Sequence, residues 1–144
     1  LWQGNCPIHQ LFTPKQINRL RQDVPEIQIL VHPECRYEVV QMADLSGSTA
    51  YIIKVIEEAP AGSKWGIGTE MHLVNRLADQ HPDKWITSID PSMCLCTTMN
   101  RVDAPHLLWT LENLLDNEVI NHITVEPDIS YWAKVALDRM LQIV

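Results

Sequence analysis

The chain has 144 residues, a formal net charge of −7 and a hydrophobic fraction of 46%. This length and composition allow one domain with an ordinary apolar core and exclude a disordered chain. The excess of acidic residues argues against a grip on nucleic acid or on an anionic membrane, so we expect neither as a partner. No apolar run approaches the length of a membrane span.

The first part of the chain, up to Thr87, alternates short apolar strands with amphipathic helices. Strands are predicted at residues 27–31, 64–67 and 85–87, with a turn or short strand at 44–47. Helices are predicted at 14–22 and at 37–42. Two more are predicted to follow capping residues: one is capped by Ser48 and Thr49, and the other by Thr69. Connections too long for hairpins imply parallel strands and a three-layer α/β/α lobe. In such sheets, ligands collect at the carboxyl ends of the strands.

A loop and two further helices follow the last strand. The loop spans residues 89–99 and holds Cys94 and Cys96. The helices are predicted at about 104–115 and 128–141, and each carries large apolar side chains at helical spacing.

The cysteines and the first residue bear on the compartment and the extent of the chain. The four cysteines are not spaced like a small secreted disulfide framework, so we expect a reducing compartment, the cytoplasm. Position 1 is Leu rather than Met, and the sequence enters a cysteine motif at once. We therefore expect a fragment of a longer protein.

Three short pairs combine residue types that bind metals. They are Cys6 with His9, His32 with Cys35, and Cys94 with Cys96. The first two pairs together have the composition of a structural zinc site with two Cys and two His. The spacing differs from that of a zinc finger, and cysteines that serve as small buried apolar residues are the simpler interpretation.

His32 and Glu34 flank Pro33 at the predicted end of a strand. A histidine and a carboxylate at this position can share proton transfer and substrate orientation. The alternative is a turn in which His32 caps a helix and Glu34 lies in its first turn.

Gly47, Ser48 and Thr49 precede a predicted helix. Free backbone N–H groups and two hydroxyls at a helix start can bind phosphate or carboxylate. Plain helix capping by the hydroxyls is the more frequent arrangement.

Five motifs follow one another along nearly the whole chain. They are Gly4-Asn5-Cys6-Pro7-Ile8-His9, Val31-His32-Pro33-Glu34-Cys35, Gly47-Ser48-Thr49, Gly68-Thr69-Glu70 and Cys96-Thr97-Thr98-Met99. Each motif is weak alone, but their order and spacing resemble the quinolinate synthase family. The form Cys-Leu-Cys-Thr-Thr-Met is similar to that of its cyanobacterial branch.

The resemblance implies an enzyme of NAD biosynthesis. It would make quinolinate from iminoaspartate and dihydroxyacetone phosphate, with loss of phosphate and two waters, and the enzyme that supplies iminoaspartate would be a candidate partner. It also implies three similar α/β/α lobes around a pseudo-threefold axis, each giving one cysteine to a [4Fe-4S] cluster. The fourth iron would be open to substrate and act as a Lewis acid.

The resemblance also assigns cluster ligands. Cys6 and Cys96 correspond to the ligands of the second and third lobes, with Cys94 as a nearby rival of Cys96. Cys35 corresponds to a cysteine that is not a ligand.

The substrate-contacting residues are assigned in the same way. His32 would bind substrate and intermediate, and Glu34 would act as acid or base. Thr49, with Ser48 beside it, would bind a substrate oxyanion, whereas Glu70 has no expected direct role.

The resemblance finally divides the chain. Residues 1–8 would end the second lobe, 9–95 would form the third lobe, and 96–144 would carry a cluster cysteine and helices that pack on a first lobe outside the chain. We expect the chain alone to be inactive and its last two helices to expose apolar surface. The alternative is a non-enzymatic α/β module stabilised by zinc on Cys6, His9, His32 and Cys35.

Overall fold

A computed structural model of the chain describes residues 4–92 and 96–143. The chain divides into two units, Leu1–Asn100 and Arg101–Val144. Cys94, the rival candidate for a cluster ligand, lies outside the described residues.

The first unit is a parallel sheet with helices on both faces. Its strands are β1 (Gln28–Val31), β2 (Leu45–Ser46), β3 (Lys64–Gly68) and β4 (Trp85–Ser88). Its helices are α1 (Pro14–Asp23), α2 (Tyr37–Met42), α3 (Thr49–Glu58) and α4 (Met71–Gln80), and a 3-10 turn (His9–Leu11) precedes α1. The strand order is β2-β1-β3-β4, and every neighbouring pair is parallel. The predicted α/β class with a short parallel sheet is confirmed.

Successive side chains of β1 enter two separate cores. Ile29 and Val31 join a core that includes Ile17 of α1, whereas Leu30 joins a core that includes Ile52 of α3. All of these side chains are fully buried. Because helices cover both faces of the sheet, the strand is a continuous apolar run rather than an alternating one.

Gly68 allows β3 to pack closely against the core that contains Ile29 and Val31. Trp65 and Ile67 join the core with α3 and α4, and Gly68 lies against the other core. A Cβ atom at Gly68 would lie 2.9 Å from Cγ1 of Val31 and 2.9 Å from Cδ1 of Ile89. The missing side chain therefore lets the two neighbouring strands share one tightly packed layer.

The start of α4 differs from the prediction. The predicted cap was Thr69, but Glu70 is the N-cap, and its Oε2 accepts the backbone N–H of His72 at 2.8 Å. A carboxylate is well suited to this position, because it satisfies a free N–H group and interacts favourably with the helix dipole. The shift leaves the Thr69 hydroxyl available for a contact outside the helix.

The second unit contains two helices, α5 (Ala104–Leu115) and α6 (Pro127–Leu141). Asp103 caps α5 by accepting the backbone N–H of His106 at 2.8 Å, and this bond lowers the pKa of the carboxyl group. Large apolar side chains on both helices are exposed: Leu107, Leu108, Leu111, Leu114, Leu115, Trp132, Leu137, Met140 and Leu141. None of the helices in the described residues is both long enough and apolar enough for a membrane span.

We expect the substitution Gly68→Ala to lower the free energy of unfolding by about 1–3 kcal/mol. The added methyl group would overpack the contact with Val31, whose branched side chain has little rotamer freedom. Urea unfolding followed by far-UV circular dichroism measures the change. Glu57→Ala, at an exposed position of α3, is the control and should change stability by less than about 0.5 kcal/mol. Equal stability of Gly68→Ala and the parent chain would mean that this layer is loosely packed.

Candidate active site

The carboxyl ends of three parallel strands meet at one edge of the sheet. Val31 at the end of β1 pairs with Ser46 of β2 and with Gly68 of β3. Residues 32–34, 47–49 and 69–70 follow these strand ends directly. The parallel pairing therefore brings three of the five motifs to the edge where ligands bind in sheets of this kind.

The imidazole of His9 connects two of these strand ends. It is buried, with Nδ1 3.0 Å from Oε2 of Glu34 and Nε2 3.3 Å from Oγ1 of Thr69. An ionised carboxylate can only accept, so Nδ1 donates to Glu34 and Nε2 is left to accept from the Thr69 hydroxyl. Carboxylate, imidazole and hydroxyl thus follow one another in the order found in catalytic triads.

His32 stacks on the ring of His9. The two ring centroids are 4.4 Å apart and the planes differ by 7°. Burial, followed by the effect of His9, lowers the pKa of His32 against the opposing effect of Glu34. The Nδ1 atom of His32 accepts the backbone N–H of Glu34 at 3.3 Å, which leaves Nε2–H as the donor of a neutral ring. The alternative prediction that His32 caps a helix is wrong, because α2 begins at Tyr37.

A cavity of about 180 Å³ adjoins this group of side chains. Its walls include Cys6, His9, Thr49, Thr69, Glu70 and Cys96. The structure thus brings the two predicted cluster ligands, Cys6 and Cys96, to one cavity together with Thr49. The hydroxyl of Ser48 caps α3 instead, where it accepts the backbone N–H of Tyr51 at 3.3 Å.

Cys96 and Cys35 have opposite environments. Backbone N–H groups of Met99 and Thr98 bind the sulfur of Cys96 and lower the pKa of its thiol. Burial raises the pKa of Cys35 to about 12, and its thiol donates to the carbonyl oxygen of Gly68 at 3.4 Å. Because metals bind the thiolate form, these environments favour Cys96 as a ligand and disfavour Cys35.

The alternative zinc site with four ligands is not favoured by this geometry. The Cys35 thiol and the Nδ1 atom of His32 are both engaged with backbone groups. Within residues 4–92 and 96–143, the ligand atoms of Cys6, His9 and Glu34 do come together and lie within 4.8 Å of one another.

Glu70 is a buried carboxylate in the cavity wall for which sequence reasoning gave no role. Its Oε1 accepts from Nδ1 of His72 at 2.8 Å, and its Oε2 caps α4. Thr69 was predicted only as a helix cap and His9 only as a zinc ligand. The one sequence signal for His9 was its position three residues after Cys6.

Comparisons with known proteins identify the family. The family model for quinolinate synthetase A protein matches residues 1–142. The quinolinate synthase of Anoxybacillus flavithermus is 59% identical over 141 residues, which cover 98% of this chain and 38% of that protein. Those of Bacillus mycoides and Geobacillus kaustophilus are 58% and 55% identical, over 99% of this chain and 39% of each protein. The chain therefore spans about two fifths of the length of these curated relatives. It belongs to the quinolinate synthase family, as the order of its motifs predicts.

Proposed function

We propose that a quinolinate synthase containing this segment makes quinolinate from iminoaspartate and dihydroxyacetone phosphate for NAD synthesis. The observation that carries the proposal is one cavity lined by Cys6, Cys96, His9 and Thr69, in which the imidazole of His9 is also hydrogen-bonded to Glu34. Family membership supports the substrates. The enzyme that supplies iminoaspartate would be a partner of the whole protein.

Cys6 and Cys96 fit two ligand positions of a [4Fe-4S] cluster. Both line the cavity, and the thiolate of Cys96 is stabilised by backbone N–H groups. When bound, the cluster supplies a Lewis acid that can hold a substrate hydroxyl or carboxylate. Its third thiolate would come from a residue outside this chain.

His9 is suited to move protons in the dehydration steps. Its Nε2 can take a proton from the Thr69 hydroxyl or from substrate, and Glu34 stabilises the imidazolium that results. The same nitrogen can return a proton to a departing hydroxyl. Glu34, whose side chain is 54% exposed, can also exchange protons directly as an acid or base.

His32 and Thr49 are suited to hold the substrate. The neutral ring of His32 offers Nε2–H to a substrate oxygen. Thr49 lines the cavity as the first residue of α3, where its hydroxyl and the free backbone N–H groups can bind a carboxylate or phosphate. These roles orient the substrate near the two proposed cluster ligands.

The isolated chain is proposed to lack activity. It provides two of the three thiolates that the cluster needs, and the exposed apolar side chains of α5 and α6 would be covered by a first lobe in the longer protein. The three-lobe arrangement is part of this proposal.

A chimera tests the proposed function. In it, residues 1–142 replace the matching segment of the Anoxybacillus flavithermus enzyme. After anaerobic reconstitution, we expect about four irons per chain, broad visible absorption and quinolinate formation, with Cys96→Ala losing the cluster. A soluble chimera that held one zinc and no iron, or that made no quinolinate while the parent enzyme did, would refute the proposal.

The acid–base assignment is tested by Glu34→Gln in the same chimera. We expect kcat to fall about 10²–10⁴-fold with unchanged iron content, because an amide neither exchanges protons nor stabilises an imidazolium. Glu38→Gln, an exposed position of α2, is the matched control and should keep the parent kcat. Normal turnover by Glu34→Gln would remove Glu34 from the mechanism.

The ligand assignment predicts a difference in thiol reactivity. The test uses the metal-free chain with the substitution Cys94→Ser. Iodoacetamide should modify Cys96 at a pH well below the pH needed for Cys35. The reason is that the pKa of Cys96 is lowered and that of Cys35 is raised to about 12. Peptide mass spectrometry after timed quenching measures both rates. Equal rates under native conditions would contradict the two environments, and urea-unfolded chain is the control in which the rates should converge.

A further inference from the structure

A second group of metal-binding atoms shares Cys6 with the proposed cluster. The ligand atoms of Cys6, His9 and Glu34 all lie within 4.8 Å of one another. A thiolate sulfur, an imidazole nitrogen and a carboxylate oxygen form a donor set that suits zinc and similar divalent transition metals. We propose that these three residues bind one such ion when no cluster is present.

The atoms are close to the geometry that a zinc ion needs. Ligand atoms lie about 2.0–2.3 Å from zinc, which in a tetrahedral site places them about 3.3–3.8 Å from one another. Nδ1 of His9 and Oε2 of Glu34 are 3.0 Å apart. The ion would therefore replace the proton between these two atoms, and the sulfur of Cys6, which lies within 4.8 Å of both, would close on it. The exposed side chain of Glu34 gives the ion access from solvent.

The contact between His9 and Thr69 prepares the imidazole for this role. When Nδ1 binds the ion, Nε2 carries the ring proton and donates to Oγ1 of Thr69, 3.3 Å away. Histidines that bind metals usually donate their second nitrogen to a fixed acceptor, which orients the ring. The stacked ring of His32 holds the plane of His9 as well.

The proposed site is open rather than structural. Nδ1 of His32 accepts a backbone N–H, and the Cys35 thiol donates to a backbone carbonyl. Three protein ligands leave a fourth position for water, unlike the closed zinc site with four ligands considered from the sequence.

Occupancy of this site would exclude the cluster. Both need the Cys6 thiolate, so an ion bound first would block cluster assembly. This consequence rests on the proposed function, whereas the site itself is tested on the 144-residue chain without any turnover, so that the two can fail separately.

Cobalt(II) is the probe, titrated anaerobically into metal-free chain. We expect a thiolate-to-cobalt band in the near ultraviolet and intense visible bands of tetrahedral cobalt, saturating at about one ion per chain. Zinc should displace the cobalt and remove both the near-ultraviolet band and the visible bands. Cys6→Ser should abolish the thiolate band, and Glu34→Gln should weaken binding by at least about tenfold.

Two further variants make the result decisive. Glu38→Gln and Cys96→Ser should leave the cobalt spectrum and affinity unchanged. Because His9 is buried, the test substitutes the exposed Glu34 instead, so that the fold is kept. Absence of the thiolate band would overturn the proposal. So would a band that Cys96→Ser abolishes and Glu34→Gln preserves, since that would assign the ion to the two cluster cysteines.

Discussion

The buried imidazole of His9 ties together parts of the site that come from distant points in the chain. Its nitrogens bind Glu34 after β1 and Thr69 after β3. Because His9 comes three residues after Cys6, the same two bonds hold a proposed cluster ligand against the edge of the sheet. With both nitrogens paired, the ring can be buried without an unsatisfied polar group. The proposed proton chemistry and the proposed metal binding therefore both depend on one side chain.

Cys35 and Cys96 have opposite environments. These suit Cys35 to the core and Cys96 to its proposed role as a ligand. Cys35 lies in the core with Val31, and burial keeps it a thiol. Cys96 lies in a turn whose N–H groups stabilise the thiolate, and it lines the cavity with Cys6. The shared use of Cys6 by a cluster and by a single ion would make metal supply a determinant of whether the enzyme matures.

The fold could be predicted from the sequence because its signals are local. Runs such as Gln28–Val31 can be strands buried on both faces, and the helices between them carry apolar residues at helical spacing. The contacts of His9 could not be predicted in this way, because its partners lie 25 and 60 residues away. The sequence predicts Thr69 as a helix cap, but Glu70, one residue later, takes that role. Residue type alone makes Cys35 a candidate for the alternative zinc site, whereas in the structure its thiol donates to the carbonyl oxygen of Gly68.

The proposed proton chemistry requires that Glu34 orients His9 so that Nε2 faces the Thr69 hydroxyl as a base. The most direct measurement is the tautomer of His9 in the metal-free chain, read from two-bond ¹H–¹⁵N correlations after assignment of the six histidines. We expect the proton on Nδ1, where it is donated to Glu34, and Nε2 free to accept from Thr69. A proton on Nε2, or rapid averaging between the two tautomers, would contradict this expectation.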